Sequence, residues 1–162
     1  MGMFQHHGRT DLPGDRVFVS SGYGIGCKLF QIERNGQNDL QASLIWETPR
    51  LKAKFTNVVH LDGYIYGLDD GVLVCLDLGN GQRKWKRGRY GHGQVILAGD
   101  LLLVQAESGD VALVKVDPEA FKEVARFPAL EDKTWNNPVL AGPYLLVRND
   151  REAVCYELAL EE

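Results

Sequence analysis

The chain has 162 residues, 44% of them hydrophobic and 25% charged, with 18 glycines and a formal net charge of −4. Such a composition suits one globular domain with a sizeable core. It excludes a general electrostatic attraction for nucleic acid or anionic membrane. No apolar run approaches the roughly 20 residues of a membrane helix, and Met1 to Asp11 shows no apolar leader segment.

Residues 1–7 read as an N-terminal tail, and its His6-His7 pair lacks a third metal ligand. From residue 8 a phrase of an apolar residue, a glycine turn and an apolar strand recurs about every 40 residues, the spacing of four-stranded repeats. It appears at Leu12–Val19, Leu61–Tyr66, Leu97–Val104 and Leu140–Val147. Each instance leads through a polar hairpin to a third strand, at Lys28–Ile32, Val72–Leu78, Val111–Val116 and Ala153–Leu158. The hairpin tips carry Asp-Gly and Ser-Gly, which tolerate the positive φ of tight turns. A fourth strand then closes each unit on an aromatic: Trp46, Trp85 or Phe127. The units run over about 8–47, 57–86, 93–127 and 137–158, the last without its fourth strand. Asp117-Pro118 suggests one helical turn with Asp117 as cap and Pro118 in the first position, and no longer helix is expected. Strands such as Leu101–Val104 are apolar throughout, so both faces of their sheet must be covered. Sheets stacked face to face around an axis achieve that.

The second unit carries the most specific signal, Cys75-Leu76-Asp77-Leu78-Gly79-Asn80-Gly81-Gln82-Arg83-Lys84-Trp85. It resembles the tryptophan-docking repeat of quinoprotein propellers, Ala-x-Asp-x-x-Thr-Gly-x-x-x-Trp. The resemblance implies an all-β propeller of four-stranded antiparallel blades, about four in this chain, half of an eight-bladed ring. In that pattern Cys75 is the small residue that lets the next blade's Trp dock. Asp77 and Asn80 cap the turn, Gly81 takes the left-handed conformation, and Trp85, Trp46 and Phe127 are the docking aromatics. Quinoprotein-like propellers include dehydrogenases that bind pyrroloquinoline quinone and Ca²⁺, and cofactor-free scaffolds such as the BamB-type outer-membrane assembly lipoproteins. The dehydrogenases' vicinal Cys-Cys pair is absent, and no catalytic residue can be carried over. The resemblance therefore favours a non-enzymatic scaffold or binding module without cofactor, in a periplasmic or secreted setting. Quinone and Ca²⁺ enter only under the alternative, an alcohol dehydrogenase-like oxidoreductase.

Strand A of each blade lines the central funnel in such a fold. The segments before it should bring Lys52, Lys54, Asn57, Arg89, His92, Trp135, Asn136 and Asn137 to the mouth, the best place for a ligand. A second alternative, glycan or peptide binding, would use Trp135 and Tyr90 there. Cys27, Cys75 and Cys155 form no CxxC pair and read as buried, reduced side chains. Asp69-Asp70 reads as a hairpin tip. In Arg83–Tyr90 strand alternation splits the basic residues between two faces, so no nucleic-acid partner is expected. An open four-blade arc would expose the outer faces of its first and last blades. The expected partner is a second copy that completes the ring, with Met3–His7 of one copy adding to the open edge at Ala153–Leu158 of the other.

Overall fold

The computed structural model describes residues 12, 14–36 and 39–158. The tail at 1–7, with its histidines and its strand addition, lies outside the described residues, as does strand A of the first unit. Within them the chain forms four antiparallel sheets, each a simple meander. Sheet one contains Arg16–Ser21 (β1), Gly26–Asn35 (β2) and Asp39–Thr48 (β3). Sheet two contains Val58–Leu61 (β4), Tyr64–Asp69 (β5), Val72–Asp77 (β6) and Arg83–Arg89 (β7). Sheet three contains Gln94–Ala98 (β8), Leu101–Gln105 (β9), Asp110–Lys115 (β10) and Glu123–Pro128 (β11). Sheet four contains Val139–Ala141 (β12), Tyr144–Arg148 (β13) and Ala153–Glu157 (β14).

Local chemistry makes these hairpins. Asp62-Gly63 joins β4 to β5 with both residues at positive φ, 49° and 82°. That mirror-image turn follows the right-handed twist of the strands, and Asp-Gly adopts it readily. One further bond repeats in every sheet. The residue closing the third strand donates its N–H to the turn before the second strand. The pairs are Ile32 to Asp15 at 2.6 Å, Leu78 to Gly63 at 2.9 Å, Val116 to Asp100 at 2.9 Å and Leu158 to Pro143 at 2.7 Å. These bonds place Ile32, Leu78, Val116 and Leu158 at one equivalent position.

Three cores lie in series, each between consecutive sheets. Leu29 of sheet one meets Ile65, Val74, Leu76 and Leu78 of sheet two. Tyr66, Leu73, Cys75 and Trp85 of sheet two meet Leu102, Val104 and Val114 of sheet three. Ile96, Leu103 and Val111 of sheet three meet Leu145 and Val147 of sheet four. Strand alternation sends neighbouring residues of β6 to opposite cores, so the middle sheets are apolar on both faces.

The closing aromatics reach across these junctions. Trp46 donates its Nε1–H to the Leu78 carbonyl at 2.8 Å. Its ring covers Gly81, at φ +67°, where a Cβ would stand 2.7 Å from Trp46 Cε3. Trp85 repeats the bond one sheet on, to the Asp117 carbonyl at 2.8 Å, with Phe121 edge-on to its ring. Phe127 has no N–H. It packs edge-on against Tyr156 of sheet four at 5.1 Å, and there Tyr156 donates its hydroxyl back to the Ala129 carbonyl at 2.7 Å. Asp77 Oδ1 accepts the N–H groups of Gly79 and Asn80, and Asn80 Oδ1 accepts that of Gln82.

Three expectations are corrected. Cys75 pairs across β6–β7 with Trp85 and shares a core with it. It seats its own sheet's tryptophan, whereas the ring arriving at Gly81 comes from the preceding sheet. Asp117–Phe121 is a bend without a helical turn: Asp117 Oδ1 accepts the Glu119 N–H at 2.8 Å, a side-chain bond that competes with helix. Cys27 and Cys75 are buried, but Cys155 is exposed on the outer side of sheet four.

Candidate functional site

The segments entering strands β4, β8 and β12 converge on a rim, and Gln94 clamps them together. Its side chain is buried at the start of β8. Gln94 Oε1 accepts the Asn57 N–H at 3.0 Å, and Nε2 donates to the carbonyls of Phe55 and Trp135, each at 3.1 Å. One amide thus fixes residues 39 and 41 positions away. Burying it is tolerable because both its ends are hydrogen-bonded.

Glu107, in the hairpin between β9 and β10, is the second organiser. Its two oxygens accept the His92 N–H at 3.0 Å and Trp135 Nε1–H at 2.9 Å. The His92 N–H and the Trp135 indole hold its carboxyl below the usual carboxylate range against some desolvation. Trp135 then stands edge-on to Phe55 at 5.2 Å, with the Lys133 ammonium 4.8 Å from its ring centroid. Both aromatics stay about half exposed, at 46% and 48%. Lys54 Nζ lies 3.3 Å from His92 Nε2, so that ring nitrogen accepts, and the same ammonium lies over the exposed ring of Tyr23. Asn57 Nδ2 donates to Asn137 Oδ1 at 2.9 Å, joining the approaches to β4 and β12.

The predicted rim residues Lys54, Asn57, His92, Trp135 and Asn137 therefore come together. Asn136 is half-buried beside Trp135. Arg89 stands exposed at the end of β7, and among the described residues no hydrogen bond or ion pair joins it to the group. Lys52 goes elsewhere. It donates to Asp69 Oδ1 through its backbone N–H at 3.0 Å and its ammonium at 2.6 Å, while Lys86 engages Oδ2. Asp69 is thus the buried centre of an ion triad, more than a hairpin tip. Burial alone would push its carboxyl up. Lys52 and Lys86 outweigh this and hold it below its ordinary value.

Tyr90 does not belong to the rim. It is buried in the core between sheets two and three, its hydroxyl donates to Glu123, and the Arg126 guanidinium lies over its ring. Phe55, Gln94, Glu107 and Lys133 are the rim residues that sequence reading missed. Gln94 gave a faint signal, as the polar residue opening an apolar strand. Glu107 read only as turn.

Chemically, the rim offers two stacking faces, two ammonium groups and side-chain amides, the equipment of a recognition surface. It does not fit a calcium ligand set. Both Glu107 oxygens are held by N–H donors, and among the described residues no three His, Cys, Asp or Glu gather as a metal site.

No family model matches the chain, and no curated protein matches it. Solved structures do. BamB from Moraxella catarrhalis superposes with a TM-score of 0.58 at 13% identity, over 86% of this chain and 45% of that one. A europium-containing methanol dehydrogenase superposes with a TM-score of 0.49 at 17% identity, over 70% of this chain and 23% of that one. The chain thus spans less than half the length of the BamB chain it matches. The BamB likeness establishes the fold, an all-β propeller of the BamB type. No helix among the described residues is long and apolar enough to cross a membrane.

Proposed function

We propose that the chain is a non-enzymatic propeller module that works by binding other polypeptides, in a periplasmic or secreted setting and without a cofactor. The observation that carries this reading is the pair of apolar faces left open among the described residues at the two ends of the sheet stack. Sheet one exposes Val17, Leu40 and Leu44, and sheet four exposes Val139, Tyr144 and Leu146. Contiguous apolar patches of this kind mark protein contact sites. A second copy of the chain would cover both and bring the ring to eight blades.

Mass in solution tests the reading. Light scattering should report about twice the 18.1 kDa of one chain. A single species of one chain's mass would refute the completed ring. The rim of Phe55 and Trp135 favours a further role in holding a peptide or glycan, since exposed aromatics provide stacking area at low entropic cost. Parallel peptide and glycan arrays, repeated with Trp135→Ala, separate the two ligand classes. Binding that survives the substitution would remove the rim from the function.

A further inference from the structure

The four sheets are built on one template, so the closed junctions state what the open faces lack. The shared turn bond and strand registers align three positions on the face each sheet turns toward its predecessor. In sheet two they are Ile65, Leu76 and Leu78. In sheet three they are Leu102, Val114 and Val116, and in sheet four Leu145, Tyr156 and Leu158. All nine pack in the cores between sheets. The same positions in sheet one are Val17, Phe30 and Ile32. Val17 is 43% exposed where its equivalents Ile65, Leu102 and Leu145 are buried.

The opposite face follows the same rule. Val59, Tyr66 and Cys75 of sheet two, and Ile96, Leu103 and Leu113 of sheet three, pack toward the next sheet. Their equivalents in sheet four are Val139, Leu146 and Cys155. Here Val139 is 53% and Leu146 45% exposed, and Cys155 is open as well. One end of the stack therefore carries an unused receiving face and the other an unused presenting face.

We infer that sheet four of one copy packs onto sheet one of a second copy in the register of the internal junctions, at both ends of a closed pair. This rests on the ring-completion reading above and specifies its interface. A cleft of about 440 Å³ on sheet one, lined by Asp15, Arg16, Val17, Ile32, Arg34 and Leu40, lies where that register brings Tyr144 of the second copy. Its internal counterpart Tyr64 packs into the core that holds Val116, the equivalent of Ile32. Cys155 is covered by the receiving face, as Cys75 is covered inside the chain. The pairing is head to tail, so it closes only because two such junctions form at once.

Thiol titration combined with light scattering tests this on the full chain. The wild type should be a two-chain species without a fast-reacting thiol, since Cys27 and Cys75 are buried in the chain and Cys155 is covered by its partner. Leu146→Glu and Val17→Glu each alter a residue already exposed in one chain, so circular dichroism should keep its strand signal. Each variant alone should run as one chain with one reactive thiol. Mixing the two should restore a two-chain species in which half of the Cys155 thiols are protected, because one junction then lacks both substitutions. A two-chain wild type with a fast-reacting Cys155, or an unaltered mass for Leu146→Glu, overturns this junction while leaving ring completion standing. A one-chain wild type overturns both.

Discussion

Sheets two and three differ from sheets one and four in cover more than in sequence. Cys75 and Cys155 occupy equivalent places, as do Tyr66 and Leu146, yet the first of each pair is sealed and the second faces solvent. Burial pushes the Cys75 thiol up to about 12 and makes it inert. The contrast teaches that an apolar residue in a stacked-sheet protein is a statement about a neighbour. Where that neighbour is another sheet of the chain, the residue is core. Where it is not, the residue stands open to solvent.

The largest test of the contrast is Trp85→Ala, which removes the ring shared by sheets two and three. It should cost about 3–5 kcal/mol, the usual range for a buried aromatic, read as a denaturant midpoint shift at unchanged slope. A near-zero change would mean that the junction does not depend on its aromatic. Asp69→Asn leaves Lys52 and Lys86 without their carboxylate. It should cost about 2 kcal/mol, less than a fully buried pair because both ammonium groups reach water. Since the folded carboxyl titrates below its unfolded value, its contribution is present above about pH 4 and fades as pH falls through the folded value. The gap between wild type and variant should therefore close in acid. A gap that persists there would place the cost in packing.

Gly81→Ala should cost about 1–3 kcal/mol, because the position needs positive φ and the added methyl meets the Trp46 ring. Thermal denaturation reads it, and Gly142→Ala is the control, with positive φ and open space around it. Equal losses would show that backbone strain outweighs the aromatic contact. The smallest effect on stability belongs to Trp135→Ala on the half-exposed rim, within about 1 kcal/mol. Addition of pyrroloquinoline quinone with Ca²⁺ should leave the cofactor absorbance unchanged. A saturable spectral change would support the dehydrogenase alternative instead.

Much of this architecture is legible in the sequence. Asp62-Gly63 and Asp70-Gly71 mark hairpins because few residue pairs accept two positive φ values in succession. Cys75 to Trp85 marks a strand, a capped turn and a strand because Asp77 and Asn80 act on backbone groups within a few positions. The rim was half legible. Lys54, Asn57 and His92 followed from their place before strand A, but Phe55 and Glu107 did not. Tyr90 was misplaced because the chain turns it inward toward Arg126, and nothing near it in sequence announces that.

Sequence alone determined the elements, their order and the spacing of the closing aromatics, since these depend on short-range backbone sterics and a repeated pattern. Tertiary structure decided which faces are sealed, that Asp69 sits between two lysines, and that Gln94 and Glu107 tie the rim together. The reason is distance: those contacts join residues tens of positions apart, and no local preference encodes a partner that far along the chain.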